Sequence, residues 1–236
     1  MPSVFAGLLA GFILRGKPSS SSGANTRILI LTSFAAGLTA WYFLDIMAAS
    51  TFLGINQGMT SATVLLVLLF VLGFLVTIMV EPSSRPDKFY DPILLAAAVV
   101  GMHGIGEGIA IGSTLISAAD PIAAVGGPLS AASFVIHKGL EAFIVSAFAV
   151  SAGKYYSHVC AAAIIVGVPT VVGAAAGYLF SPNDTIFFAI GAGGTLWLLS
   201  TLLATSMTLP SRSKWSLALV AGVMLMFLAG LLHSIR

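Results

Sequence analysis

Long apolar runs separated by short polar breaks set the pattern of this chain. Eight runs can be drawn, at about residues 2–14, 27–48, 60–80, 92–119, 128–151, 157–180, 184–207 and 214–234. Apolar runs of about 20 residues match a hydrocarbon core crossed at 1.5 Å per residue. The runs are continuously apolar instead of alternating, so they predict helices and not barrel strands. The first is short, rising only about 20 Å, and is read as a shortened span. The breaks are the polar linker PSSSSGANT at 18–26, flexible by composition, and the proline-rich EPSSRPDKFYDP at 81–92. Asp120-Pro121, Gly126-Gly127-Pro128, Ser181-Pro182-Asn183-Asp184 and the basic turn at Arg212 and Lys214 complete them.

Composition turns this pattern into a class. The 236 residues are 58% hydrophobic and 8% charged, where soluble domains carry about 25% charged residues. The expectation is one all-α integral membrane domain over 1–236, embedded in a lipid bilayer with no room for a soluble domain. A formal net charge of +2 gives no reason to expect nucleic acid as a partner. The single cysteine, Cys160, excludes an internal disulfide and argues against a thiolate site. The N-terminus lacks the basic start and small-residue cleavage site of a signal peptide.

The basic residues orient the spans. Loops joining odd-numbered segments to the next hold Arg15, Lys17, Arg27, Arg85, Lys88, Lys154, Arg212 and Lys214, whereas the opposite side holds Arg236 alone. By the positive-inside rule the odd loops are cytoplasmic and both termini external.

Two mid-segment stretches carry ionisable residues in one arrangement. The fourth segment has His103 and Glu107 in VVGMHGIGEGIAIGSTL, and the fifth has His137 and Glu141 in SFVIHKGLEAFIVSAF. Residues four apart leave one helix face a turn apart, with Cβ atoms about 6 Å from each other. Two such helices side by side can close two imidazoles and two carboxylates around one divalent cation. The set lies near the bilayer midplane, where a charge costs a few kcal/mol and where transporter sites are found. A buried polar cluster that only holds helices together, or a proton relay, is the competing reading. Two nitrogen and two oxygen donors suit zinc, iron, manganese or cobalt; monovalent copper, calcium and magnesium fit poorly.

Neighbouring residues qualify the picture. Lys138 points about 100° from the ligand face and is too deep to reach water by snorkelling. Its ammonium either takes the place of a second cation, balancing Glu107 or Glu141, or faces a water-filled cavity. Asp45, near the outer end of the second segment, either attracts cations at an entrance or caps its helix. Gly104, Gly108 and Gly112 form a small-residue ridge that admits a close helix neighbour, as four short ligands from two helices would need; plain glycine packing is the alternative. His158, His233, Trp41, Trp197 and Trp215 read as interfacial or packing groups.

These residues resemble the ZIP (Zrt- and Irt-like) family of divalent metal transporters. HGIGEG keeps His103, Glu107 and Gly108 of that family's His-Asn-x-Pro-Glu-Gly pattern, and HKGLEAF keeps His137 and Glu141 of its His-x-x-x-Glu pattern. Asp45 falls where the family often has a histidine or acid. Eight helices with external termini also agree with it. The chain departs from the family at Gly104 and Lys138, where second-site ligands are usual, so a single ion is expected. Gly106 replaces the motif proline, and the loop before the fourth segment has no histidine. The resemblance implies a three-two-three arrangement with inverted three-helix repeats, alternating access, and a homodimer as one assembly.

The function expected is therefore uptake into the cytoplasm, across the plasma membrane, of a divalent transition-metal cation. Zinc comes first as substrate, with iron, manganese, cobalt or cadmium as alternatives. An intramembrane zinc metallohydrolase and a metal-free, proton-conducting bundle are the rivals; no HExxH motif supports the enzyme.

Overall fold

The computed structural model describes residues 1–15, 22–49, 60–80, 92–116, 120–151, 158–208 and 210–234. Its helices are α1 (Pro2–Arg15), α2 (Ser22–Ala49), α3 (Ser61–Val80), α4 (Pro92–Leu115), α5 (Pro121–Ala124), α6 (Pro128–Ser151), α7 (Val159–Phe180), α8 (Thr185–Ser206) and α9 (Arg212–Ser234). No strand occurs among the described residues. Seven of the helices are long and apolar enough to cross a membrane, and α1 is a shorter apolar helix. The chain is thus an all-α, multi-pass membrane protein by helix length and hydropathy.

The boundaries differ from the sequence reading in three places. The linker at 18–26 is helical from Ser22 onward, and residues 18–21 lie outside the described part. The fourth run, drawn to 119, ends as a helix at Leu115, and 117–119 are also outside. Beyond them Asp120 accepts hydrogen bonds from the Ile122 and Ala123 amides, capping a single turn, α5, opened by Pro121. A carboxylate that satisfies two free amides stabilises a new helix start, which a hydropathy pattern cannot register. Gly126 and Gly127 then take φ of 85° and 95°, a conformation glycine adopts without strain, and the chain reverses into α6.

Helix burial arranges the bundle. Within their most apolar windows α6 is 72% and α4 61% buried, against 11% for α3 and 17% for α9. The two helices bearing the His/Glu pairs are therefore the centre, and α3 and α9 face lipid. Contacts run in matched sets: α1 packs along α6 and α7 along α4; α2 meets α9 and α8 meets α3; α2 touches α6 and α8 touches α4.

Glycines make the closest of these contacts. A Cβ at Gly108 would strike the carbonyl of Thr170, and one at Gly173 would strike that of Ile105. Gly112 likewise rests on Ala174, so the glycine ridge of α4 packs on α7, not on α6. The ridge therefore anchors α4 from behind. Pro169 lies inside α7 and cannot donate to Ile165 four residues earlier; bare Gly101 lies against that carbonyl.

Candidate metal centre

The middle of α4 falls at His103 and that of α6 beside Gly139. Both His/Glu pairs therefore stand mid-span, where α4 and α6 touch each other and α2 and α8 close the sides. His103, Glu107, His137 and Glu141 each offer one ligand atom, all within 4.8 Å of one another. His103 Nε2 lies 3.3 Å and His137 Nε2 3.6 Å from Glu107 Oε1. His137 Nε2 is also 3.0 Å from Glu141 Oε1. Around a tetrahedral ion with bonds of about 2.1 Å, neighbouring donors stand about 3.4 Å apart, and these separations bracket that edge.

Two of the four donors converge without a hydrogen-bond partner. His137 Nε2 and Glu141 Oε1 are buried 3.0 Å apart, and neither makes a hydrogen bond. An unpartnered buried polar atom costs about 1–3 kcal/mol, and a cation between the two would relieve both at once. The set can hold a metal ion. Nδ1 of each histidine is buried and unpartnered as well, so the orienting acceptors common behind histidine ligands are missing among the described residues.

Lys138 is drawn onto the glutamates. Its Nζ contacts Glu107 Oε2 and lies 2.7 Å from Glu141 Oε2. The side chain is buried, so it does not stand in a water-filled cavity. Each carboxylate is thereby divided, with Oε1 toward the imidazoles and Oε2 toward the ammonium. The Phe134 ring lies 5.7 Å from Nζ. With neutral imidazoles, two carboxylates and one ammonium leave the group at net −1, and nothing else charged is placed in it among the described residues.

Gly104 leaves room for α7. A Cβ there would stand 2.7 Å from Thr170 Oγ1 and 3.7 Å from Lys138 Nζ, so this hydroxyl and the ammonium share the space a side chain would fill. Thr170 Oγ1 is buried without a hydrogen-bond partner. Behind His103 the same economy recurs on α8: a Cβ at Gly191 would meet His103 Cα at 3.2 Å.

Aromatic rings hold His103 in place. Tyr42 of α2 stands edge-on to it, with centroids 4.9 Å apart, and Phe188 of α8 is 5.1 Å away on a tilted approach. Tyr42 also lies 6.1 Å from the His137 ring. Tyr42, Thr170 and Phe188 are ordinary residues on apolar helices that no sequence pattern singles out, and they become informative only through what they face. Asp45 is half-buried, three positions beyond Tyr42 and apart from the four-ligand group. His158 precedes α7 and is outside the group too; His233 lies in the last turn of α9.

What the fold and the site define together is a multi-pass helical membrane protein with a buried two-histidine, two-glutamate group. No protein-family model matches the chain, and no curated protein matches it.

Proposed function

We propose that this protein carries a divalent transition-metal ion, zinc foremost, across the plasma membrane into the cytoplasm by alternating access. The observation that supports it best is the set of four buried donors, two imidazole nitrogens and two carboxylate oxygens, within 4.8 Å at the middle of two adjacent spans. A structural cluster would gain from donors that satisfy each other; here His137 Nε2 and Glu141 Oε1 are left without a hydrogen-bond partner. The mid-span depth favours cargo over a structural ion, since a path must lead there from either side.

The ZIP resemblance enters on the same residues. Exchanging α1, α2 and α3 with α7, α8 and α9, and α4 with α6, maps the matched contact sets onto one another. That supports eight crossings in a three-two-three arrangement of inverted repeats. The exchange is imperfect where α1 touches α2 more than α7 touches α8, and it fails most between α6 and α9, which pack together, whereas α4 barely meets α3. A cavity of about 210 Å³ opens there, lined among others by Leu72, Val76, Leu95, Val99 and Met102. One half closed where its counterpart is open is what a molecule with two interchangeable arrangements would show. The segregated basic residues favour cytoplasmic odd loops and external termini, an orientation in which Asp45 lies near the external end of α2. There its charge would draw cations toward the site. Lys138 serves as a tethered cation on the far oxygens of Glu107 and Glu141, so that one ion is bound instead of two.

We read the protein as a transporter and not an enzyme. The hydrolase reading needs one glutamate free as a base, and Lys138 engages both.

The test is uptake. His103→Ala and Glu141→Ala should each abolish zinc flux in reconstituted vesicles and lower bound metal from one ion per chain to none, while surface expression stays normal. Wild-type flux in both variants would sink the proposal.

A further inference from the structure

Tyr42 is among the largest fully buried side chains, with 0% exposure. Its ring packs on both imidazoles, yet its hydroxyl has no hydrogen-bond partner. Tyr42 stands on α2 with its ring 4.9 Å from that of His103 and 6.1 Å from that of His137, three residues before Asp45. A phenol can both donate and accept, and packing explains the ring without explaining the oxygen. Phenylalanine would fill the same space and leave nothing unsatisfied.

We infer that the Tyr42 hydroxyl holds a water molecule on the ion bound by His103, Glu107, His137 and Glu141, and thereby ranks the ions the site accepts. The inference rests on the metal reading above. Lys138 occupies Oε2 of both glutamates, so each carboxylate supplies one donor and the protein supplies four in all. Four donors close the shell of a tetrahedral zinc ion. Manganese and iron(II) favour more ligands, largely oxygen, and take a fifth from a water that the phenol fixes by hydrogen bond. The same water keeps one position of the shell exchangeable as the ion arrives past Asp45 and departs. Tyr42 is in this sense a specificity-determining residue that acts through the ion's own water.

The experiment compares the unaltered protein with Tyr42→Phe, which keeps the ring against His103. Both are loaded with cobalt(II), and the visible absorption, which intensifies as coordination falls to four, is recorded. Both are also reconstituted for zinc and manganese flux. The variant should absorb more strongly per bound cobalt, and its manganese-to-zinc flux ratio should drop about tenfold, the effect of one hydrogen bond to a charged centre. An unchanged spectrum with an unchanged ratio overturns the inference, as do two fluxes that fall in step. Should the variant not reach the membrane, the near-ultraviolet tyrosine difference spectrum of the unaltered protein on cobalt loading decides: a perturbed tyrosine supports the assignment and a flat trace removes it. If the unaltered protein binds no cobalt, the metal reading falls and this inference with it. One ion bound by both proteins with one shared spectrum removes this inference alone.

Discussion

Replacing Lys138 by methionine tests how the site sets its affinity. The ammonium and the bound ion would lie on opposite oxygens of the same two carboxylates, the relation of two metals in a bridged pair, which stand about 3.5–4 Å apart. Two charges about 4 Å apart at an effective dielectric of about 20 interact by about 4 kcal/mol per unit charge product. The ion is divalent, so removing the ammonium lifts up to about 8 kcal/mol of repulsion, a ceiling of about a millionfold in affinity. Two effects pull the other way. Glu107 and Glu141 lose a partner that contacts both, and an uncompensated buried carboxylate takes up a proton with which the ion must compete. Well above neutral pH, where that competition is weak, roughly 10- to 100-fold tighter binding should remain.

Isothermal titration of the purified variant with zinc, beside elemental analysis, reads both affinity and stoichiometry. Flux should move oppositely, because an ion held tighter on a path must leave more slowly. Turnover is expected to fall while the half-saturating concentration falls too. An affinity that is unchanged or weaker, with one ion still bound, would show that Lys138 does not oppose the cargo, and the division of oxygens drawn from the geometry would be wrong. Two ions bound per chain would show instead that the ammonium occupies a usable second position.

Two further outcomes follow from packing and protonation. Gly108→Ala places a methyl group against the Thr170 carbonyl and should cost at least about 2 kcal/mol, read as a lowered unfolding midpoint in detergent. Gly139→Ala, whose Cβ would stand 3.4 Å from Ser3 O, should leave the midpoint nearly unchanged; equal losses would refute the packing account. Zinc binding requires neutral imidazole and ionised carboxylate, so loading releases protons and affinity declines as pH falls below about 6. A titration in buffers of differing ionisation heat measures the proton count, and an affinity flat from pH 8 to about 5 would contradict ligation by histidine.

The helices were legible because lipid imposes one rule on every span, and hydropathy reads that rule directly. The run 128–151 became a helix over those same residues, Pro128–Ser151. Where a side chain decides a boundary, hydropathy is blind, as with the Asp120 cap. The four-residue group was legible for a related reason: ionisable groups inside apolar helices are costly enough that their i, i+4 spacing stands out. Lys138 was visible as a charge, but its direction was not. A long flexible stem lets an ammonium some 100° off a helix face curl back to it, and only a neighbour's position settles whether it does. Gly104, Gly108 and Gly112 announced a close helix neighbour without saying which, and α7 has that place.

The donors belong to the buried centre of the bundle, and this bears on what can move. Residues 141–150 of α6 are buried without interruption, whereas the stretch from Leu129 to Ile136 is partly exposed. The burial is built by large groups: Phe34 meets Phe143 edge-on at 5.6 Å, and Phe148 lies 5.5 Å from Trp197. In the proposed orientation α6 runs from outside to inside, so the sealed half is the cytoplasmic one. Glu107 is the most exposed of the four ligands at 13%, Glu141 the least at 0%, and on α4, which runs the other way, Glu107 is displaced outward from His103. The gradient therefore points one way. The ion would meet Glu107 first and Glu141 last, with the aromatic contacts below α6 still shut. Release inward then requires α6 to shed Phe34 and Trp197 together, and Lys138, being on α6, must travel with the carboxylate it already holds.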